Sequence, residues 1–326
     1  MAGFATAPAA AEPPKTVLKV VLPEGLSPRT IGYYLARENG YFSAAGLNVT
    51  LAAPTGGLLA DIRDPASALG EGKADLAIEA MPIALRQREA GGKIVHVAQF
   101  FQKASMELVC RAFIDKASAI PGHAVGVWFG GYESSFFAWM SQLNLSTFGG
   151  AEGVTVLRQD RDIGDFARFQ VDCFTTATYL APLQFAAAGL NLGGMTVFRY
   201  QALGLGTLED GLYARESDLA NPAKIEAFAA FLRAANLGWQ SLHDDRADAL
   251  RLLQANPAYE RVDSAVLLNA LAEADALVTA KNVVPGSFNP PDYDRTVNLL
   301  LTGAPSPVLR RAPSGAISEV VRRRLP

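Results

Sequence analysis

Residues 16–52 read TVLKVVLPEGLSPRTIGYYLARENGYFSAAGLNVTLA, and the punctuation of this stretch decides the fold. Thr16–Leu22 is a Val/Leu-rich run closed by Pro23, the pattern of a buried strand. Ser27-Pro28 offers an N-cap with proline at the first helical position, and the helix continues through Ile31, Tyr34 and Leu35 until Gly40 ends it. Leu47–Ala52 is the next strand. A strand, a helix and a strand in so short a span form a βα unit, which implies an α/β class with mostly parallel sheets and right-handed crossovers.

The rhythm continues outward. Asp64-Pro65 opens a helix, Asp75–Glu79 is a strand, Pro82–Ala90 is a helix stopped by Gly91-Gly92, and Lys93–Phe101 is a strand. It restarts after Ile120-Pro121-Gly122, with strands at Ala124–Phe129, Val154–Arg158, Val171–Thr175 and Met195–Tyr200. Helices at Glu133–Leu143, Gly164–Phe169 and Leu180–Ala188 separate them. From Ser217 to about Leu271 the pattern is almost wholly helical, with Asn221-Pro222 as a cap and Asn256-Pro257 as a break. The second set of strands is short for an independent domain, and the first needs cover for its apolar helix faces. A helical tail returning to the first lobe supplies that cover and makes the second lobe an insertion, joined by a two-strand hinge. Glu107–Phe113 and Leu208–Arg215 are the expected crossings. The expected organisation is 16–112 plus 210–305 as lobe 1, 113–209 as lobe 2 and 306–326 as a tail. Two lobes on such a hinge form a cleft, a preferred place for a ligand.

Composition bounds the function. The 326 residues are 50% hydrophobic, too apolar for a disordered chain, yet no uninterrupted apolar stretch approaches the ~18–20 residues that span a bilayer. With 29 basic against 32 acidic residues, nucleic-acid binding has no global electrostatic support. Cys110 and Cys173 have no metal-site spacing; both lie in strand-like runs and are expected as reduced core thiols, one bridge being the alternative. Residues 1–15 lack a basic n-region and an apolar h-region, but the Ala-Pro-Ala steps look like the remnant of a trimmed export signal; a disordered cytoplasmic N-terminus is the other reading. Arg310-Arg311 and Arg322-Arg323-Arg324 read as solvated surface.

No catalytic motif stands out. There is no His-Glu-x-x-His, Gly-x-Ser-x-Gly or phosphate-binding loop, and Gly204-Leu-Gly206 lacks the third glycine of a dinucleotide loop. His96, His123 and His243 are far apart and read as structural. What the chain does carry is aromatic and polar residues at strand ends, where open α/β sheets hold ligands. Trp128-Phe-Gly-Gly-Tyr-Glu-Ser-Ser135 is the most informative, because Gly130-Gly131 permits close backbone approach just before a helix start. Trp128, Tyr33, Tyr34 and Tyr179 are each either cleft or core, and Glu133 or Ser134 could equally cap the helix.

Thr30-Ile-Gly-Tyr-Tyr-Leu-Ala-Arg-Glu-Asn-Gly-Tyr-Phe-Ser-Ala-Ala-Gly-Leu-Asn-Val49 resembles the opening of solute-binding proteins of ABC importers for thiamine-pyrimidine precursors, with relatives for nitrate, sulfonates and taurine. Ala98-Gln-Phe-Phe-Gln102, Gly126-Val-Trp-Phe-Gly-Gly-Tyr-Glu133 and Leu208-Glu-Asp-Gly-Leu-Tyr213 are similar to later motifs of that branch, in the same order, across about residues 16–260. The resemblance implies a two-lobed periplasmic-binding-protein fold of type II, a periplasmic monomer, delivery to a membrane permease, and neither catalysis nor cofactor nor metal. The residues it suggests for the ligand are Tyr33, Glu79, Met81 and Gln99 with Asp210, facing Trp128, Gly130, Gly131, Tyr132, Glu133, Thr178 and Tyr179. Glu79 would accept a ligand N–H, and Trp128 with a tyrosine would stack on it. Where the branch shows Thr-Tyr-Asn-Glu, this chain has Thr178-Tyr179-Leu180-Ala181, which removes two hydrogen-bonding groups and points to a larger or less polar, flavin-like compound. The alternatives are a binder of aliphatic sulfonate or taurine, a sensor module without a permease, and a pyrimidine-precursor synthase. The last is disfavoured by the lack of a cysteine cluster and of a histidine near Gly32 or Gly130.

Overall fold

The structure is a computed structural model that describes residues 15–54, 64–159, 162–279, 286–303 and 307–325. All but Lys15 of the expected N-terminal remnant lies outside the described residues. Strands β1 (Thr16–Val21), β2 (Leu47–Ala52), β3 (Leu76–Glu79), β4 (Ile94–Gln99) and β10 (Gly211–Arg215) build a first sheet in the order β2-β1-β3-β10-β4. Strands β5 (Met106–Cys110), β6 (Ala124–Val127), β7 (Thr155–Arg158), β8 (Cys173–Ala177) and β9 (Thr196–Arg199) build a second in the order β7-β6-β8-β5-β9. The two sheets follow one plan. β1 runs parallel to β2 and β3, and β10 lies antiparallel between β3 and β4; β6 runs parallel to β7 and β8, and β5 lies antiparallel between β8 and β9. Each sheet thus has one strand against the grain, which the βα rhythm alone did not reveal.

That arrangement moves the expected crossings. Glu107–Cys110 and Gly211–Arg215 are strands, as read, but each is embedded in a ladder: β5 in the second sheet and β10 in the first. The chain passes between sheets in the segments before them, 100–105 and 200–210. The two passages are tied together, since Phe100 and Phe101 N–H donate to the Asp210 carbonyl at 3.1 and 3.2 Å.

Helices α1 (Ile31–Glu38), α2 (Tyr41–Ala44), α3 (Pro65–Gly70), α4 (Met81–Glu89), α5 (Ser134–Gln142), α6 (Gly164–Ala167), α7 (Ala181–Ala187), α8 (Pro222–Asp244), α9 (Ala247–Gln254), α10 (Ser264–Val278) and α11 (Pro290–Thr302) flank the sheets. Asp64 and Asn221 cap as their sequences predict, accepting from Ser67 N and from Ala223 N. Ser27 does not cap: Thr30 Oγ1 bonds the Gly25 carbonyl and accepts from Ser27 N, so a turn fills 27–30 and α1 begins at Ile31. α1 packs hard against α8, where a Cβ on Gly32 would lie 2.2 Å from Trp239 and one on Gly238 would lie 2.0 Å from the Gly32 carbonyl. Only glycine at both positions permits that approach.

The C-terminal helices serve both sheets. α10 packs on α7 and α11 on α5, while Arg295 Nε donates to the Gly206 carbonyl at 2.7 Å and Leu208 N to Thr296 Oγ1 at 2.8 Å. The tail is structural over 307–325, since Leu309 and Val321 are buried and Ile317 pairs with His96, covering the outer edge of β4, while Arg310, Arg311, Arg323 and Arg324 are exposed as their sequence suggests. Arg322 and Arg323 pair with Glu319, and Arg324 with Glu226.

Cys110 and Cys173 are joined as a disulfide, correcting the expectation of reduced thiols. Their strands pair antiparallel with the two residues directly opposite, a juxtaposition fixed by a register the sequence does not state. Among the described residues, no helix is long and apolar enough to cross a membrane.

Candidate functional site

The carboxyl ends of β1, β3, β6 and β8 all deliver residues to the seam between the two sheets. From the first side come Arg29, on the turn after β1, Glu79, the last residue of β3, and Asp210, just before β10; all three are buried. Facing them are the loop after β6, carrying Trp128 to Glu133, and Thr178 and Tyr179 after β8.

Arg29, which the sequence reading missed, is the centre of this seam. Its Nε donates to one Asp210 carboxylate oxygen at 2.7 Å and its Nη2 to the other, a two-pronged pair in which both side chains are nearly inaccessible. Nη2 also reaches the Tyr132 hydroxyl of the opposite side at 3.4 Å. Burial works against the guanidinium charge, but Asp210, with Tyr179 and Tyr132 nearby, outweighs it and holds Arg29 well above its ordinary range. Nothing in the run Ser27-Pro28-Arg29-Thr30 marks the arginine as buried; its partner lies 181 residues away.

Glu79 stands beside this pair. Its Oε1 accepts from the Ala80 N–H at 2.9 Å, and its Oε2 is buried without a hydrogen-bond partner. Burial pushes its carboxyl up to about 8, with Arg29 pulling down and Asp64 adding to the rise. On the facing side the Thr178 hydroxyl is likewise buried without a partner, although the Thr178 N–H is bonded to the Ser105 carbonyl at 2.9 Å.

The remaining predicted residues divide. Gly130 and Gly131 hold φ of 96° and 126°, and a Cβ on Gly131 would lie 3.3 Å from Pro82 Cβ and Ile83 Cγ1, so the two sides touch here. Glu133 turns back to accept from Gly131 N at 2.7 Å instead of capping α5. Trp128 and Tyr179 are each 4% exposed and belong to the main core; Trp128 meets Tyr132 edge-on, and Tyr179 meets Phe101. Tyr33 lies beside the seam's polar centre, whereas Met81 and Gln99 are brought elsewhere. Tyr33 is packed among Phe100, Phe231 and Trp239, with its hydroxyl raised by burial and Asp210. Met81 sits in a cluster with Leu85, Leu208 and Leu300. Gln99 spends its amide on the Phe101 and Glu209 carbonyls and its oxygen on His96. Met81 is explained by packing and Gln99 by backbone satisfaction, but the Tyr33 hydroxyl is buried without a hydrogen-bond partner, within reach of the Arg29 and Asp210 charges.

A hollow of about 390 Å³ opens at the edge of the seam, bounded by Glu24–Ser27, Leu180, Asn256 and Tyr259, and so draws walls from both sides. Another of about 340 Å³, lined by Gln102, Asn236, Gln240 and His243, lies on the first half and away from Arg29.

Comparison with known proteins gives this geometry a lineage. The ligand-binding component of an ABC-type import system from Staphylococcus aureus superposes with a TM-score of 0.64 over 95% of this chain and 99% of that one, at 13% identity. The periplasmic aliphatic sulphonate-binding protein SsuA from Escherichia coli gives 0.60 over 80% and 79%, at 16% identity. A desulfurization enzyme, DSZB, gives 0.58 over 94% and 98%, at 12% identity. At such identities these likenesses establish the fold, the two-lobed periplasmic-binding-protein architecture. No curated protein matches the chain. The profile of the family described as NMT1/THI5 like matches residues 27–249, which includes Arg29, Glu79, the Trp128 loop, Thr178 and Asp210. With two thirds of its length matched, this chain belongs to the NMT1/THI5-like family.

Proposed function

We propose that this protein is the exported solute-binding component of an ABC importer, closing its two lobes on a small planar heterocycle and handing it unchanged to a membrane permease. We take its lobes as about 16–112 with 210–305 and about 113–209, with the first boundary drawn back to the passage before β5. The observation that carries the reading is the pair of buried, unpartnered oxygens on opposite sides of the seam, Glu79 Oε2 and Thr178 Oγ1. Among the described residues thirteen buried side-chain atoms lack a hydrogen-bond partner; these two reach the seam at the ends of strands β3 and β8, and a solute between the lobes would complete both bonds. Glu79, a neutral acid below about pH 8, donates from Oε2 to a ring nitrogen while Oε1 accepts a ligand N–H, and Thr178 donates to a ring nitrogen or carbonyl; Trp128, Tyr132 and Tyr179 supply flat apolar cover. The hollow by Ser27 and Leu180 supports entry from that flank.

Capture works by population shift. A solute that bonds both sides favours the closed form only by the difference between its affinities for closed and open. The Cys110–Cys173 disulfide supports residence in an oxidising compartment such as the periplasm. Thiamine-pyrimidine precursors and flavin-like compounds are the candidate solutes. Native mass spectrometry of the purified protein, followed by calorimetric titration with an aminopyrimidine and with riboflavin, tests the reading. A bound heterocycle recovered intact supports it; turnover of that compound replaces it with an enzymatic reading, as the shared fold of the desulfurization enzyme allows. Absence of binding by either class refutes it.

A further inference from the structure

The Arg29–Asp210 pair has the form of a filled anion site. A guanidinium presents a planar fork of donors that carboxylates, sulfonates and phosphates all fit in the same way. Here that fork is engaged by both oxygens of Asp210. Asp210 in turn cannot swing aside freely, because its backbone carbonyl accepts from Phe100 and Phe101 and its side chain is 1% exposed. The other ionisable groups nearest the pair are carboxyls, Glu79 on β3 and Glu209 on the second passage, both raised by burial toward the neutral acid, with Asp64 beside Glu79. An anionic solute entering the seam meets a cation already neutralised and further acidic groups around it. Buried without a counter-charge, it would lose its hydration for no return.

We infer that Asp210 is a specificity-determining residue, an internal counter-anion that closes Arg29 to anionic solutes and leaves the seam to neutral or cationic ones. The inference rests on the reading of the seam as a solute site, and it makes this chain differ in ligand charge from the sulphonate-binding protein that shares its fold. It also predicts a gain of function. Removing the Asp210 charge while keeping its shape leaves a buried guanidinium without a partner, and an added anion then takes the vacated place.

The test is calorimetric titration of ethanesulfonate and benzenesulfonate into wild type and Asp210→Asn, in a low-chloride buffer free of sulfonates. Wild type is expected to bind neither, whereas Asp210→Asn binds at least about tenfold more tightly than wild type, and the double variant Arg29→Gln/Asp210→Asn loses the gain. Sulfonate binding by wild type that Asp210→Asn leaves unchanged overturns the inference, as does a folded Asp210→Asn that binds no sulfonate. Circular dichroism checks folding. If Asp210→Asn does not fold, thermal shift of wild type decides: stabilisation by benzamidinium but not by benzenesulfonate supports the inference, and stabilisation by benzenesulfonate overturns it. Wild type indifferent to both probes, and free of any co-purified solute, removes the solute site itself and the inference with it.

Discussion

Replacing Glu79 with glutamine tests the electrostatics of the seam directly. Glu79 is 1% exposed, one oxygen holds only the neighbouring Ala80 N–H, and burial raises its carboxyl to about 8. A carboxyl raised by folding stabilises the protein fully below its unfolded value near 4.5, and that contribution drains away as pH rises through the folded value. Between those limits the unfolded chain ionises while the folded one resists, which amounts to as much as about 5 kcal/mol by pH 8. The amide of the Glu79→Gln variant does not titrate. The other raised carboxyls, Glu107 and Glu209 at about 7, are common to both proteins and cancel in the comparison. Unfolding entropy near ~2.1 cal/mol/K per residue over 326 residues converts this to a melting difference of about 7 °C at most. Differential scanning calorimetry of empty protein from pH 5 to pH 9 should show Glu79→Gln gaining on wild type steadily up to pH 8 and levelling beyond. A difference independent of pH would mean that Glu79 ionises in the folded state as it does in water, and the unpartnered oxygen would lose its meaning.

Three further outcomes follow from the same geometry. Gly131→Ala forces a Cβ onto a backbone at φ 126° and 3.3 Å from Pro82 and Ile83, so it should lower the melting temperature in calorimetry, and a variant as stable as wild type would refute the strained close approach. Cys110→Ser/Cys173→Ser opens a closure 63 residues apart and should cost about 4 kcal/mol in urea unfolding on the chain-entropy account, with reduced wild type behaving alike. Trp128→Ala removes a core ring and should cost roughly 3–5 kcal/mol, so any loss of ligand comes with lost stability; a fully stable variant would return Trp128 to the solvent side of the cleft.

The strand and helix punctuation was legible because it is local. Asp64-Pro65, Asn221-Pro222 and the break at Asn256-Pro257 each act within a turn or two, and the structure keeps all three. What stayed hidden depends on distant partners. Cys110 meets Cys173 through register, β10 enters between β3 and β4 from more than a hundred residues away, and Arg29 is explained only by Asp210. The strand-end rule located the seam, since Glu79, the Trp128 loop, Thr178 and Asp210 all arrive there. Met81 and Gln99 are engaged in packing and in backbone bonds, because residues at strand ends or in the following helix also seal the core beneath. The sequence of Trp128 fits cleft and core alike, and its burial in the main core shows that the two descriptions overlap where lobes meet.

The place of β10 sets a timetable for folding. A chain emerging amino end first makes β1 to β4 early, yet β4 reaches the rest of its sheet only through a strand that ends at Arg215. The second sheet needs no strand so remote: its five strands fall between Met106 and Arg199 and its covalent bridge lies inside that interval, with α10 and α11 arriving later to cover α7 and α5. The second sheet therefore closes first, while the first sheet stays incomplete until the return strand arrives. Pulse-labelled hydrogen exchange would see amides of β5, β6 and β8 slow before those of β4, reversing their neighbours' order of synthesis.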